Sequence, residues 1–405
     1  MLQSPRKKRG AADRALARRQ GKIATPAIGL EAEFAITVDG LPAKPEDVFG
    51  SPTAFIRGKM MHRTGRSYHL PTGGAVYFDT GVIEVATPMI ELAPLCAARA
   101  GRSLWESIEF VRQELDAWEE RKDREIQLAG FSAHYNVSFE LPKEQRGTHR
   151  TVEKLAVLLT YILPVPVMLL AANRESTGIG LRPRANRIEI TADFTPDAPL
   201  SIATATLIVA IVRQVMGWES YELDQLDNVS FPILRGFHPI PHSSRKGWVA
   251  KHTCFKENPF QCDVDAPIWD TRDGGRLSLR EIAALTTRAF SRTIRYYADP
   301  LSRTLISSVM HSGGRSLLDM PERPEAYEDV GRACSWDGLY TDRTLARSRY
   351  ERVMLRAINR QPIFINGEHL IPTGMRGWSH VVFKREADGQ RLEISLDELA
   401  EQSSH

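Results

Sequence analysis

Two carboxylates one residue apart interrupt an otherwise apolar run: Glu31 and Glu33, within Ile28-Gly29-Leu30-Glu31-Ala32-Glu33-Phe34. Ile28, Leu30, Phe34, Ile36 and Val38 are strand formers, and Asp39-Gly40 ends the run with a turn signal. Residues i and i+2 of a strand share a face, so the two carboxylates stand about 6–7 Å apart. Like charges held side by side need either water or a cation. Three further segments carry polar residues at the same spacing. They are Tyr77 and Asp79 with Glu84 beyond a turn, then His134, Asn136 and Ser138, then Arg187, Glu189, Thr191 and Asp193. Singly, each has a plain reading: a wet strand edge, a satisfied histidine, a surface ion pair worth about 0–1 kcal/mol. Together they predict one polar face inside a cleft. Phosphate chemistry with Mg²⁺ uses such a face, because Mg²⁺ takes oxygens from carboxylates and from substrate phosphates. Two or three Mg²⁺ ions would neutralise Glu31, Glu33, Glu84 and Glu189. Arginines would then balance a triphosphate, leaving Asp79 and His134 for base and positioning work.

The elements that must hold these residues follow from periodicity. Strands are expected over 26–38, 74–79, 82–87, 125–140 and 184–195, with Thr80-Gly81 turning the second into the third. Helices are expected over 94–121, 149–172 and 199–217; the first repeats Leu95, Ala98, Leu104, Ile108, Val111, Leu115 and Trp118. Residues 41–70 read as loop, suited to gating a substrate, with Arg57, Lys59, Arg63 and Arg66 hinting at an anionic one. Later, 277–298 reads as an amphipathic helix and 379–402 as a hairpin around Asp388-Gly389 followed by a short helix. The order predicts an α+β fold, a mostly antiparallel sheet backed by helices. Three parts are expected: a basic arm over 1–23, a catalytic domain over 24–225 and a smaller module over 226–405.

Composition is ordinary for a globular protein: 405 residues, 42% apolar, 25% charged. A net charge of +3 gives no reason to expect nucleic acid as a partner, although Arg6 to Lys22 is locally basic and reads as a solvated arm. The most apolar stretch, 154–174, is broken by Pro164 and Pro166 and so predicts a buried helix and a bend, not a membrane span. Cys96, Cys254, Cys262 and Cys334 are scattered, and with no signal-peptide pattern they read as free thiols of a cytoplasmic protein. His238 and His242 are four apart, but Pro239 and Pro241 forbid the helix a zinc pair would need. Neither 275–281 nor 312–316 fits a phosphate-binding P-loop. Trp248, Trp269, Trp336 and Trp378 read as core.

The order of these motifs resembles the glutamine synthetase-like carboxylate–amine ligases, which include glutamate–cysteine ligases and the Pup ligase and depupylase. Gly29-Leu30-Glu31-Ala32-Glu33-Phe34 is similar to that superfamily's opening strand. Residues 70–88 look most like the Pup enzymes, with Tyr77, Asp79, Glu84, Ala86, Thr87 and Pro88 matching; the Asp79–Glu84 spacer is one residue shorter and Val85 stands where those enzymes have Tyr. Residues 130–139 and 186–197 resemble the nucleotide-side strand and the Arg-x-Glu strand. The likeness spans about 26–217 and implies a glutamine synthetase-like cradle. It implies Glu31, Glu33, Glu84 and Glu189 as Mg²⁺ ligands and Asp79 as catalytic base. His134 and Asn136 would face ATP, and Arg187, with Arg174, Arg182 or Arg184, would contact phosphates or an acyl-phosphate. The implied reaction is ATP-dependent amide formation between a small-molecule, peptide or protein carboxylate and an amine. The departures point to an acid other than Pup. A depupylase-like amidase with bound nucleotide, or a non-catalytic nucleotide-binding scaffold, shares the same motifs. No membrane partner is expected, and monomers and homo-oligomers are both compatible with the resemblance.

Overall fold

Alternation decides the first strand, β1 (Ala27–Val38). Ile28, Leu30, Ala32, Phe34, Ile36 and Val38 are fully buried on one side, while Glu31 and Glu33 lie on the other. The computed structural model describes residues 26–141, 147–242, 246–311, 313–319, 345–365 and 367–402. The basic arm, Cys334 and Trp336 lie outside these residues.

β1 pairs along one edge with three segments in turn: β2 (Leu41–Ala43), β6 (Val82–Ala86) and β7 (Ile90–Glu91). Its other edge carries β8 (Ile126–Ser138). Beyond β6 the sheet continues through β5 (Ala75–Asp79), β4 (Ser67–His69) and β3 (Met61–Thr64). Beyond β8 it continues through β10 (Arg187–Asp193), β9 (Ile179–Arg184), β12 (Trp248–Ala250) and β11 (Ile240–Pro241). All these pairings are antiparallel, so the expected α+β architecture holds. Two tight hairpins use left-handed residue pairs, Asp39-Gly40 (φ 51° and 77°) and Thr80-Gly81 (φ 53° and 93°), which match the twist of the strands they join.

Helices cover the buried face. Cys96–Lys122 buries Leu104, Ile108, Val111 and Leu115, as its periodicity predicts, and packs on Ala198–Met216. A Cβ on Gly101 would stand 2.4 Å from Ile202 Cγ1, so only glycine allows this close approach. Ala198–Met216 is long and apolar enough to cross a membrane; here 78% of its apolar window is buried in the protein. The helix expected over 149–172 is two, Val152–Thr160 and Pro164–Ala171, bent by 69°. Pro164 cannot donate into the first helix but suits the first turn of the second. Likewise 277–298 divides into Leu279–Ala289 and Ser291–Tyr297, with Phe290 leaving helical geometry between them.

The expected limit of the catalytic domain at residue 225 falls inside this core. β11 and β12 extend the same sheet, and Leu279–Ala289, Ser291–Tyr297 and Pro300–His311 pack into the same apolar cluster. A two-stranded ribbon, β13 (Trp269–Asp270) with β14 (Arg276–Leu277), lies between. A second cluster is built by Arg349–Ile358, Leu396–Gln402 and a four-stranded sheet, β15 (Ile363–Ile365), β16 (Glu368–Arg376), β17 (His380–Arg385) and β18 (Arg391–Ser395). Met61 of β3 belongs to this second cluster and stitches it to the large sheet.

Candidate active site

Register brings the acids together. Glu33 lies opposite Glu84 on β6 and opposite Ser132 on β8; Glu31 lies opposite His134; Tyr77 lies opposite Glu84. One further row holds Asn136 opposite Glu189. A bulge in β8 sets this alignment: Phe34 pairs with Gly130 and Glu33 with Ser132, leaving Phe131 unpaired and 54% exposed. After the bulge the even residues of β8 join the open face.

Two groups of possible ligands result. Glu31, Glu84 and His134 each offer a donor atom within 4.8 Å of the others, and so do Glu33, Asp79 and Glu84. His134 Nδ1 lies 3.1 Å from Glu31 Oε2, and its Nε2 lies 3.2 Å from Ser132 Oγ and 3.6 Å from Glu33 Oε1. Ser132 Oγ donates to Glu33 Oε2 at 2.6 Å. The Tyr77 hydroxyl donates to Glu84. Thr80 Oγ1 donates to Asp79 at 2.9 Å beside the hairpin turn.

Crowding shows in the ionisation of these groups. Burial, then the charges of Glu31, Glu33 and Asp79, push the Glu84 carboxyl up to about 9 against the pull of Tyr77. Burial also raises Glu31, but the hydrogen bond and charge of His134 outweigh it and leave Glu31 below its ordinary value. Tyr77 is raised, first by burial and then by the same acids. A cluster of carboxylate oxygens this buried and this crowded fits a hard divalent cation such as Mg²⁺.

Guanidinium groups border the acids. Arg184 clasps Glu189 with Nε at 2.7 Å and Nη2 at 3.0 Å, and Arg182 Nη2 contacts the same carboxylate. Arg187 donates Nε to Asn136 Oδ1 at 2.7 Å and reaches Glu189 at 3.9 Å. Burial raises Glu189, but the hydrogen bond from Arg184 and the arginine charges leave it below its ordinary value. Glu189 therefore joins neither ligand group among the described residues; it holds arginines. Arg174 stands apart: it is exposed and donates Nε to the Leu318 carbonyl at 3.1 Å. The His238/His242 pair flanks β11 and enters no ligand group among the described residues, and Cys96, Cys254 and Cys262 are free thiols.

A cavity of about 340 Å³ opens on this face, lined by Glu31, Arg63, Tyr77, Asn136, Arg187 and Trp378 among others. Two of these are residues that sequence reasoning left outside the site. Arg63 was visible only as part of the basic run 57–66, and Trp378, expected in the core, comes from the turn between β16 and β17. Of the other tryptophans, Trp269 is buried as expected and Trp248 is half-buried against the large core.

Neither a protein-family model nor a curated protein matches the sequence. Solved structures do. The complex of the prokaryotic ubiquitin-like protein Pup with its ligase PafA aligns with a TM-score of 0.48 at 12% identity, over 92% of this chain and 89% of that one. A bifunctional glutathione synthetase from Pasteurella multocida aligns at 0.45 and 12%, over 93% of this chain and 61% of that one. PafA in complex with ADP aligns at 0.41 and 10%, over 100% and 96%.

Proposed function

We propose that this chain is an ATP- and Mg²⁺-dependent carboxylate–amine ligase that forms an amide through an acyl-phosphate. One observation carries the reading: Glu31, Glu33, Asp79, Glu84 and His134, from four strands, converge beside a cavity rimmed by guanidinium groups. An acid surface of this density has little use in a hydrophobic or nucleic-acid site. Paired with arginines, it suits a substrate that arrives as a metal–polyphosphate.

Glu31, Glu33 and Glu84 would hold Mg²⁺, with His134 fixing Glu31 and Ser132 fixing Glu33. When bound, Mg²⁺ supplies charge neutralisation on the phosphates. Arg187, steered by Asn136, faces the cavity and would offset charge on the transferred phosphoryl group. The acid's carboxylate oxygen bonds to the γ-phosphorus as the bond to the β–γ bridging oxygen breaks and ADP leaves. An amine nitrogen then bonds to the acyl carbon, its proton passes to Asp79, and inorganic phosphate departs. Asp79 lies at the hairpin edge of the acid cluster, half-buried, where an incoming amine can reach it.

Purified protein given Mg²⁺, ATP and panels of amino acids and peptides should release ADP only when an acid and an amine are both present. Glu31→Gln should lower that rate at least ~100-fold while leaving the fold intact. ADP release by Glu31→Gln at the wild-type rate would remove the acid cluster from the mechanism. Amide hydrolysis without ADP release would instead favour an amidase.

A further inference from the structure

We infer that Arg63 is a ligand-binding residue that grips the phosphate chain of bound nucleotide, and that Trp378 of the C-terminal sheet is the positioning residue that holds it there. The inference rests on the ligase reading and extends it to a part of the chain the motifs do not reach. β3 is an edge strand, and its pairing with β4 is irregular: His62 faces Tyr68 and Thr64 faces Ser67, so Arg63 is an extra, unpaired residue. A bulge of this kind re-aims a side chain. Here it directs the Arg63 guanidinium over the open face of the large sheet, 5.8 Å from the Tyr77 ring. Trp378 lies beneath the same guanidinium at 4.7 Å, close enough for cation–π attraction. His69 of β4 meets Trp378 edge-on at 4.9 Å and 79°, which braces the indole from the sheet side.

What Arg63 lacks, among the described residues, is a carboxylate in contact. Its Nη1 donates to Ser67 Oγ at 3.3 Å, while its Nε is buried with no hydrogen-bond partner among the described residues. Arg182 and Arg184 differ, since both already contact Glu189. A guanidinium with a buried, unsatisfied Nε and no carboxylate in contact, on the wall of a cavity, is suited to an anionic ligand. Glu31 and Glu84 are near enough for their charges to act on Arg63. An anion that meets both the cation held by these acids and Arg63 must carry oxygens at several points along its length. A polyphosphate does so; a single carboxylate does not.

Calorimetric titration of the full chain with ADP and with inorganic tripolyphosphate, both with Mg²⁺, tests the inference. Arg63→Gln should weaken both ligands ~10–100-fold, the range expected for losing one charge-assisted contact. Arg63→Lys should recover part of the loss. Trp378→Ala should weaken both ligands, Trp378→Phe should restore most of the affinity, and the Arg63→Gln/Trp378→Ala double variant should bind no worse than Arg63→Gln alone. Unchanged affinity in Arg63→Gln overturns the inference, and so does a double variant in which the two losses multiply. Wild-type protein that binds neither ligand overturns the ligase reading, and this inference with it.

Discussion

Replacing Glu84 with glutamine should make the metal-free protein much less sensitive to alkali. Glu84 is 3% exposed and faces Glu33 directly across the β1–β6 pairing. Its carboxyl is pushed from 4.5 up to about 9, first by burial and then by the charge of Glu31. Between these two values the folded protein keeps a proton that the unfolded chain has released. Stability therefore falls as pH rises, by about 1.4 kcal/mol per pH unit for this one group. The contribution is whole below pH 4.5 and is lost as pH passes through about 9. From pH 6 to pH 9, three units at that slope give a loss on the order of 4 kcal/mol in the wild type. Glutamine fills the same space, can accept from the Tyr77 hydroxyl and does not ionise. Urea unfolding followed by circular dichroism, in EDTA at four pH values across this window, measures the difference. The two stability curves should diverge by several kcal/mol toward alkali. Excess Mg²⁺ should close the gap by favouring the ionised carboxylate. Parallel curves in EDTA would refute the reasoning, because they would mean that Glu84 ionises as freely as an isolated acid.

Thr87→Val should cost about 1–3 kcal/mol, because it leaves the Leu30 amide buried without an acceptor. At present that amide donates to Thr87 Oγ1 at 2.9 Å while the Thr87 amide donates to the Leu30 carbonyl at 2.8 Å. An unchanged urea midpoint would refute this account. Glu189→Gln should cost about 3 kcal/mol at neutral pH, since it leaves Arg182 and Arg184 without their counter-charge. Glu189 ionises below its ordinary 4.5, so its contribution is present above that value and is lost as pH falls through the lower, folded-state one. The penalty should therefore shrink in acid, and a penalty constant from pH 7 to pH 3 would count against the pairing.

Much of the scaffold was legible because each strand must show alternate residues to opposite faces. That rule alone placed Glu31 with Glu33, and His134 with Asn136, on shared faces. It could not tell which residues of neighbouring strands would meet, because register depends on contacts distant in sequence. Glu189 illustrates the limit. Its strand was anticipated, yet its role turned on β9, which pairs with it and supplies Arg182 and Arg184. β9 reads poorly because Pro183 and two arginines hide its alternation. Strands of two or three residues, such as β11 and β12, are too short to show a period. Arg63 and Trp378 lie more than 300 positions apart along the chain, and nothing local announces that they meet.

The irregularity in β8 has a consequence for how this chain can change over generations. Phe131 is an odd tooth in a zip: it has no partner across β1, and Gly130 and Ser132 on either side of it meet Phe34 and Glu33 as consecutive neighbours would. Were it deleted, Gly130 and Ser132 would close up into an unbroken strand, Ala133, Tyr135 and Val137 would stay inward, and His134 and Asn136 would keep the open face. This position is thus free to drift or even to be lost, whereas one residue gained without a bulge to absorb it would drive the imidazole of the site into hydrocarbon.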